Sequence, residues 1–162
     1  MSKATSRIEH RESSGFRIAM KVLGTLHRWL YRASSGKLGK TFCGSPILLL
    51  TTTGRKTGQS RTWPLTYLHD EGERFIVVAS NGGQPKHQAW YLNLQANPHV
   101  IVQRGKQTRA IIARVVKGDE KARLWSRLVE KYPAYADYQR KTERQIPVVL
   151  LGQEDANSRE DR

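Results

Sequence analysis

The stretch that decides the fold is "ILLLTTTGRKTGQSRTWPLTYLH", residues 47–69. An apolar run and a second run rich in threonine and aromatic residues flank a polar turn that contains glycine and several cations. This arrangement predicts two strands, at 47–53 and 60–69, that are joined as an antiparallel hairpin. Pro64 has no N–H for a ladder hydrogen bond, so the second strand is expected to be at a sheet edge or bulged at that residue.

Further strands are predicted at 74–79, 99–104, 107–116 and 146–151. Short connections at 70–74 and 104–106 are typical of antiparallel hairpins. Five or six antiparallel strands in a chain of this length favour a closed or partly closed barrel. Helices predicted at 87–96 and 119–142 are expected to cover its open faces, so the fold class is mostly β with flanking helices (α+β).

The segment 16–33 has the periodicity of an amphipathic helix. Ile18, Val22, Leu26 and Trp29 recur at three- or four-residue steps, and most of its cations lie off that stripe. The helix either packs on the barrel or lies on an anionic membrane surface. The predicted organisation is a basic helix and linker over 1–40, the barrel domain over 41–152, and a polar tail over 153–162.

Length and composition narrow the class of protein. The chain has 162 residues, a single cysteine and a net charge of +14. One cysteine makes no internal disulfide and no Cys/His spacing resembles a zinc site, so we expect a reducing, cytoplasmic location and no metal. The charge attracts anions in general. The candidate ligands are nucleic acid, anionic lipid and a polyanionic cofactor, and net charge alone does not distinguish among them.

Three cations lie within seven residues around the glycine turn of the first hairpin: Arg55, Lys56 and Arg61. A turn with exposed N–H groups and three cations can hold a phosphate through a backbone nest and charge together. The turn is not a Walker A loop, because the Gly-Lys-Thr order and the upstream glycine are absent. An ordinary solvated basic hairpin explains the same residues equally well.

A second candidate segment is "VVASNGGQPKHQAWYLNL", residues 77–94. Its paired glycines allow close backbone approach to a ligand, and the following helix N-terminus favours electron-rich groups. Lys86 precedes this helix, and Trp90 and Tyr91 can wall a flat ring. A plain strand–turn–helix connection with Trp90 in the core is the alternative interpretation.

The third candidate segment carries tyrosines at three-residue steps, Tyr132, Tyr135 and Tyr138. On a helix these side chains share a face. They either form an apolar wall with hydroxyl tips beside a cavity, or pack in the core.

Three stretches together carry a family resemblance: "LLLTTTGRKTGQSRTWPL", "VVASNGGQPKHQAWYLNLQANP" and "YPAYADYQRKTERQIPVVLL". In order and spacing they resemble the deazaflavin-dependent nitroreductase family, also called F420H2-dependent quinone reductases, over roughly residues 40–151. The resemblance implies a split β-barrel related to flavin-binding oxidoreductases. It also implies coenzyme F420, a deazaflavin with a phosphodiester and a polyglutamate tail.

The resemblance also assigns residues to sites. The positions that match the binding site of the anionic tail are Arg55, Lys56 and Arg61. The positions that match residues beside the ring are Thr62, Trp63 and Pro64, and Trp63 departs from the smaller residue that is commoner there. The second cofactor segment comprises Ala79, Ser80, Asn81, Gly82, Gly83, Lys86, Trp90 and Tyr91. The substrate-side, catalytic tyrosines are Tyr132, Tyr135 and Tyr138.

The implied activity is hydride transfer from reduced F420 to a menaquinone-like quinone, with nitro-aromatic compounds as incidental acceptors. A tyrosine hydroxyl, with an ordinary pKa of about 10, can donate the proton that follows or orient a hydrogen bond. Tyr138 is the first candidate for this role, and water is the alternative. A lipid-soluble acceptor favours peripheral contact of the N-terminal helix with the inner face of the plasma membrane. The alternatives are a flavin-binding split-barrel reductase, a cofactor carrier without turnover, and a basic nucleic-acid-binding domain, although no nucleic-acid recognition motif is present.

Overall fold

The computed structural model describes residues 41–42 and 45–152. The strands are β1 (Thr41–Phe42), β2 (Ser45–Thr53), β3 (Ser60–His69), β4 (Phe75–Val78), β5 (His99–Arg104), β6 (Gln107–Val115) and β7 (Val148–Leu151). The helices are α1 (Ala89–Ala96), α2 (Gly118–Lys131) and α3 (Ala134–Arg140), and a 3-10 turn spans Asn81–Gly83. The predicted N-terminal helix at 16–33, its linker and the tail at 153–162 lie outside the described residues.

Six of these strands form a closed antiparallel barrel. Their order around it is β2-β3-β4-β7-β6-β5, and β5 pairs again with β2. The closing ladder aligns Leu50 with Val102 and Thr51 with Ile101. The two-residue β1 pairs with the start of β2, at Ser45 and Pro46. The α+β barrel predicted from the strand pattern is therefore confirmed, and in this structure the barrel is closed.

Pro64 lies where β3 has one neighbouring strand among the described residues. It is aligned with Leu49 of β2, whereas the ladder between β3 and β4 includes only the last three residues of β3, Tyr67 to His69. A residue with a single strand neighbour does not need a donor on both sides. The expectation that Pro64 occupies an edge-like position is confirmed, and the missing N–H breaks no ladder on the open side.

Two layers of apolar side chains share β4 and β7. Alternate residues of a strand face opposite sides of the sheet. Val77 and Val149 point into the barrel, where Trp90 of α1 joins them, while Ile76 and Val148 belong to the outer cluster that α2 and α3 cover. All four residues of each strand are buried for this reason. The helices thus cover the barrel as predicted, α1 against the interior cluster and the other two outside.

Element ends differ from the prediction in a few places. The last strand begins at Val148 rather than at residue 146, because Pro147 lacks an N–H and only its carbonyl is used, as acceptor for Ala79 N–H. The helix predicted from 87 begins at Ala89. The 3-10 turn was not predicted. No helix in the described part of the chain is both long and apolar enough to cross a bilayer.

A buried carboxylate ties the turn after β3 to α2. Asp70, with a side chain only 2% exposed, accepts a hydrogen bond of 2.6 Å from Arg127 and forms an ion pair of 3.1 Å with Arg74. Arg127 also donates to the carbonyl of His69. Burial alone raises the pKa of Asp70, but the Arg127 hydrogen bond, a backbone N–H and the two arginine charges outweigh it, so the pKa lies below its ordinary value.

The substitution Asp70→Asn tests this link. Loss of a charged hydrogen-bond partner should lower the free energy of unfolding at pH 7 by about 1.5–3 kcal/mol, measured by urea denaturation. The matched control is Asp137→Asn, whose carboxylate pairs with Arg140 in solvent, and which should change stability by less than about 0.5 kcal/mol. Because the pKa of Asp70 is lowered in the folded protein, its ionised form stabilises the fold at pH values above its ordinary pKa of 3.8. This stabilisation is lost as the pH falls below 3.8 and through the lowered pKa. Wild type and Asp70→Asn should therefore converge in strong acid, and equal stability of the two proteins at pH 7 would contradict the link.

Candidate functional site

The turn between β2 and β3 is held by its own backbone. Gly54 donates to the carbonyl of Gln59 at 2.8 Å, and its carbonyl accepts from Gly58 N–H at 2.7 Å and from Thr57 N–H at 3.2 Å. Gly58 has φ of 67°, which favours glycine. A Cβ on Gly54 would lie 3.0 Å from the Thr57 hydroxyl oxygen. The predicted cationic turn is therefore a tight, hydrogen-bonded structure.

A buried amide on α1 fixes the base of this turn. The Oδ1 atom of Asn93 accepts from the backbone N–H of Arg55 at 3.2 Å and from its Nη1 at 3.4 Å, and Nδ2 donates to Thr52 Oγ1 at 3.1 Å. Asn93 is only 4% exposed. The sequence prediction missed this residue; the only clue was an amide between two leucines of α1. Asn93 sets the direction in which the chain enters the turn.

The three predicted cations are all exposed on this turn. Arg61 donates to the neutral amide of Gln59 at 3.0 Å, and Arg55 uses the amide of Asn93. Within residues 45–152, no carboxylate pairs with Arg55, Lys56 or Arg61, whereas Asp70, Glu73, Glu120 and Asp137 pair with other arginines. The turn thus presents positive charge that carboxylates of the described chain do not neutralise, as an anion site requires.

Trp63, on the strand that leaves this turn, has a buried indole N–H. Its Nε1 has no hydrogen-bond acceptor among the described residues. A buried donor without a partner costs about 1–3 kcal/mol, so such a group in a native protein calls for an explanation such as a bound ligand. Next to it, the hydroxyl of Thr62 lies 2.8 Å from that of Thr51 across the hairpin. Pro64 follows on the same strand, so the three ring-side positions lie in direct continuation of the cationic turn.

The loop after β4 has three consecutive residues in the left-handed region. Their φ values are 49° for Asn81, 62° for Gly82 and 79° for Gly83. A Cβ on Gly83 would lie 2.6 Å from the carbonyl oxygen of Tyr138, so this glycine is required for packing against α3. A Cβ on Gly82 would meet open space. The close approach that the paired glycines predicted is, at Gly83, an approach to the protein's own helix.

Arg144 holds the same loop from the other side. Its guanidinium donates to the carbonyls of Ala79 at 3.2 Å, Ser80 at 2.7 Å and Gln84 at 2.9 Å. Its Nη1 also lies 3.3 Å from Nδ1 of His87. Sequence reasoning missed Arg144, because nothing in "KTERQIP" distinguishes it from the other basic residues. Four contacts from one side chain make it the main anchor of the loop.

His87 and Tyr91 continue this cluster onto α1. Their rings are 4.9 Å apart, and Gln95 donates to the Tyr91 hydroxyl at 3.1 Å. Burial and the neighbouring Arg144 charge lower the pKa of His87. Burial raises the pKa of Tyr91, although the Arg144 charge opposes this. At neutral pH His87 is therefore uncharged, and its Nδ1 accepts from Arg144.

Trp90 and Lys86 occupy opposite environments. Trp90 is 1% exposed, belongs to the interior cluster and donates from Nε1 to Gln88 at 3.1 Å. Its place in the core supports the packing interpretation, so it backs the loop rather than lining an open surface. Lys86 is exposed, and its carbonyl accepts from Asn81 Nδ2 at 2.8 Å.

The tyrosines differ from one another in the bonds they make. Tyr132 donates from its hydroxyl to the carbonyl of Tyr67 at 3.2 Å, and burial raises its pKa. Tyr135 packs 6.0 Å and 6.2 Å from the other two rings, and burial, followed by these neighbours, raises its pKa to about 12. The hydroxyl of Tyr138 has no hydrogen-bond partner in the described part of the chain, and Lys141 Nζ lies 5.8 Å from its ring centroid. Packing thus accounts for Tyr135, whereas the Tyr138 hydroxyl is uncommitted.

The loop after β4 contacts α3, the helix that carries Tyr135 and Tyr138, and the cationic turn is linked to this loop through α1. Gly83 contacts the backbone of Tyr138, which brings the loop and the tyrosine helix together. Asn93 connects the cationic turn to α1, the helix that begins just after this loop. A groove of about 850 Å³ lies elsewhere, along the outer face that includes the exposed Ile101 and Ile112. Its lining includes none of the predicted site residues, so we place the candidate site by its chemistry.

Comparison with known proteins identifies relatives of the chain. A family model described as F420H(2)-dependent quinone reductase matches residues 24–153. An F420H(2)-dependent quinone reductase of Mycobacterium tuberculosis (strain ATCC 25618 / H37Rv) is 43% identical over 130 residues, which are 78% of this chain and 87% of that protein. The match to the family model spans the cationic turn, the loop that Arg144 anchors and the tyrosine helix.

Two solved structures resemble the barrel. One is described as an F420-H2 dependent reductase (FDR-A); it is 46% identical, has a TM-score of 0.61, and the match covers 66% of this chain and 94% of that one. The other is described as a domain-swapped dimer; it is 40% identical, has a TM-score of 0.64, and the match covers 79% of this chain and 94% of that one.

Proposed function

The chain belongs to the F420H(2)-dependent quinone reductase family and is an F420H2-dependent oxidoreductase, and we propose that it delivers hydride to a menaquinone-like quinone. Nitro-aromatic compounds are proposed as incidental acceptors. The observation that supports the site is the hairpin of β2 and β3, where three cations without carboxylate partners in the described chain lead into a buried indole donor without an acceptor. An anionic tail joined to a ring with polar edges complements both features.

The described residues fit this cofactor. Arg55, Lys56 and Arg61 would hold the phosphodiester and polyglutamate tail by charged hydrogen bonds. Trp63 would donate its Nε1–H to the ring system, and Thr62 and Pro64 are its neighbours on β3, with side chains on the other face of the strand. When bound, the reduced deazaflavin supplies hydride, and a carbon in place of the flavin nitrogen favours two-electron transfer. The chain supplies position, exclusion of water and electrostatics.

The proton that accompanies the hydride is assigned to Tyr138. Tyr132 uses its hydroxyl hydrogen on the carbonyl of Tyr67. Tyr135 is packed between its neighbours, and burial raises its pKa to about 12, which makes its hydroxyl a weaker proton donor. Tyr138 retains a hydroxyl that can donate to or orient a quinone oxygen, and its backbone adjoins the loop at Gly83. The other two tyrosines form the wall that positions it.

Two statements about location stay predictions. The contact of residues 16–33 with anionic lipid concerns residues outside the described part of the chain. We propose it because a quinone acceptor is soluble in the bilayer, so that a protein held at the surface meets its substrate there. The cytoplasmic location rests on the single cysteine and on no structural observation.

The central experiment mixes reduced F420 with a menaquinone analogue and follows reoxidation of the coenzyme. A parallel fluorescence titration compares affinity for F420 and FMN. Reoxidation that depends on both protein and quinone, with tighter F420 binding, supports the proposal. Binding without reoxidation by any quinone would favour a cofactor carrier, equal or tighter FMN binding a flavin reductase, and tight salt-sensitive DNA binding the nucleic-acid alternative.

Charge reversal tests the tail site. Arg61→Glu, or Arg55→Glu with Lys56→Glu, places negative charge against the tail. Because a charged hydrogen bond contributes about 1.5–3 kcal/mol, the dissociation constant for F420 should rise at least about tenfold. Lys106→Glu makes the same charge change as Arg61→Glu, in the turn between β5 and β6, and should leave affinity nearly unchanged. Wild-type binding should weaken as salt is added; unchanged affinity in both reversal variants would identify the turn as a solvated hairpin.

Removal of single hydroxyl groups tests the tyrosine assignment. General acid catalysis contributes about 10²–10⁴-fold to a rate, so Tyr138→Phe should lower kcat at least about tenfold. The dissociation constant for F420 should stay within about twofold of the wild-type value. Tyr135→Phe is the matched control, because it removes a hydroxyl from the packed ring and should leave kcat close to wild type. Equal kcat values for Tyr138→Phe and wild type would show that the Tyr138 hydroxyl is not the proton donor and that the residue contributes only packing.

A further inference from the structure

Resting on the proposed function, we infer that Arg144 is a positioning residue that aims the backbone N–H groups of Ser80 and Asn81 at the cofactor. Arg144 lies between α3 and β7, and its hydrogen bonds go to the loop after β4 rather than to the cationic turn. Its role follows from the orientation of the carbonyl groups that it holds.

The peptide geometry of the loop gives the first step. The peptide bonds of the described chain are all trans. In a planar trans peptide the carbonyl of one residue and the N–H of the next point in opposite directions. The carbonyls of Ala79 and Ser80 point at Arg144, at 3.2 Å and 2.7 Å. The N–H groups of Ser80 and Asn81 must therefore point away from Arg144.

These two N–H groups form a ready donor pair. Ser80 is in the right-handed helical region, with φ of −70° and ψ of −37°, and Asn81 has φ of 49°. Successive residues in right- and left-handed conformations make a backbone nest that binds an anionic or electron-rich oxygen. Neither N–H has an acceptor among the described residues, whereas the next amides donate within the turn, from Gly83 to Ser80 and from Gln84 to Asn81.

The charge of Arg144 acts in the same direction as the nest. No carboxylate of the described chain forms an ion pair with it, and its other neighbour is the neutral Nδ1 of His87. A guanidinium behind the nest favours an electron-rich oxygen in front of it. Lysine cannot replace it fully, because one ammonium group lacks the planar fork that reaches three carbonyls at once.

The loop is strained, which explains why an anchor is needed. Asn81 is a non-glycine residue in the left-handed region, where such residues are uncommon. Its side chain donates to the carbonyl of Lys86, which supports only the far end of the loop. Without Arg144 the carbonyl of Ala79 would lose this donor and the carbonyl of Ser80 would keep only the Gly83 N–H. The peptide planes at Ser80 and Asn81 would then be held less firmly, and the nest would lose its orientation.

The test compares wild type, Arg144→Met, Arg144→Lys and the control Arg140→Met, which removes an exposed arginine four positions earlier. Amide hydrogen exchange is measured on the cofactor-free proteins, and F420 affinity is measured by fluorescence titration. Both Arg144 variants should show faster amide exchange at 79–84, with exchange in β4 and β7 unchanged. They should bind F420 at least about tenfold more weakly, because the Ser80 and Asn81 N–H groups are no longer aimed at the cofactor. Arg140→Met should match wild type in both measurements.

Chemical rescue separates positioning from a merely structural role. Millimolar guanidinium should restore part of the F420 affinity of Arg144→Met, whereas sodium chloride of equal ionic strength should not. Faster exchange with unchanged affinity, or affinity that guanidinium does not restore, would overturn the inference. If the wild-type protein binds F420 but reduces no quinone, the proposed acceptor is wrong. The inference about Arg144 is then still tested by F420 affinity, which does not depend on the acceptor.

Discussion

The second ladder of β2, its pairing with β5, is the constraint on which the rest of the structure depends. With β3 alone, β2 would be the edge of an open sheet, and Leu50 and Val102 would lie on a face with nothing opposite. Their alignment in the closing ladder puts both into the interior cluster instead. Closure also leaves α1 as the helix that packs on this cluster, through Trp90. From that position the helix presents Asn93 to the turn that carries the cations.

The outer layer, formed by α2 and α3, determines how the loop after β4 meets the helix that carries Tyr138. Because β4 and β7 are apolar on both faces, they bury the barrel interior and also bind α2 and α3. The chain that returns from α3 to β7 must cross the loop that leaves β4, since these strands are neighbours. Gly83 and Arg144 are the residues at this crossing. One lacks a side chain so that α3 can approach, and the other fills the crossing with hydrogen bonds.

Local patterns predicted the strands, the hairpins and the helices well, because each depends on residues close in sequence. Gly105, at φ of 59°, starts the two-residue turn expected between β5 and β6. The residues that were missed act between segments far apart in the chain. Asn93 bonds across 38 positions to Arg55, and Arg144 across 64 positions to Ser80. No periodicity marks such a contact, and Trp90 was ambiguous for the same reason, since the interior of the barrel exists only after closure.

Net charge was the least informative of the sequence features, and the structure explains why. Of the 28 lysines and arginines, several neutralise carboxylates that hold the fold, as Arg127 does with Asp70. The three on the cationic turn differ because uncharged groups fix them: the Asn93 amide, the Gln59 amide and the backbone around Gly54. Mutual repulsion among Arg55, Lys56 and Arg61 opposes the hairpin, and a carboxylate partner would relieve it. The described chain instead holds Arg55 and Arg61 by hydrogen bonds to neutral amides and carries Lys56 on the hydrogen-bonded backbone of the turn, which leaves their charge available to a ligand. This difference in partners, rather than the total of +14, is what supports the proposed anion site over an ordinary basic surface.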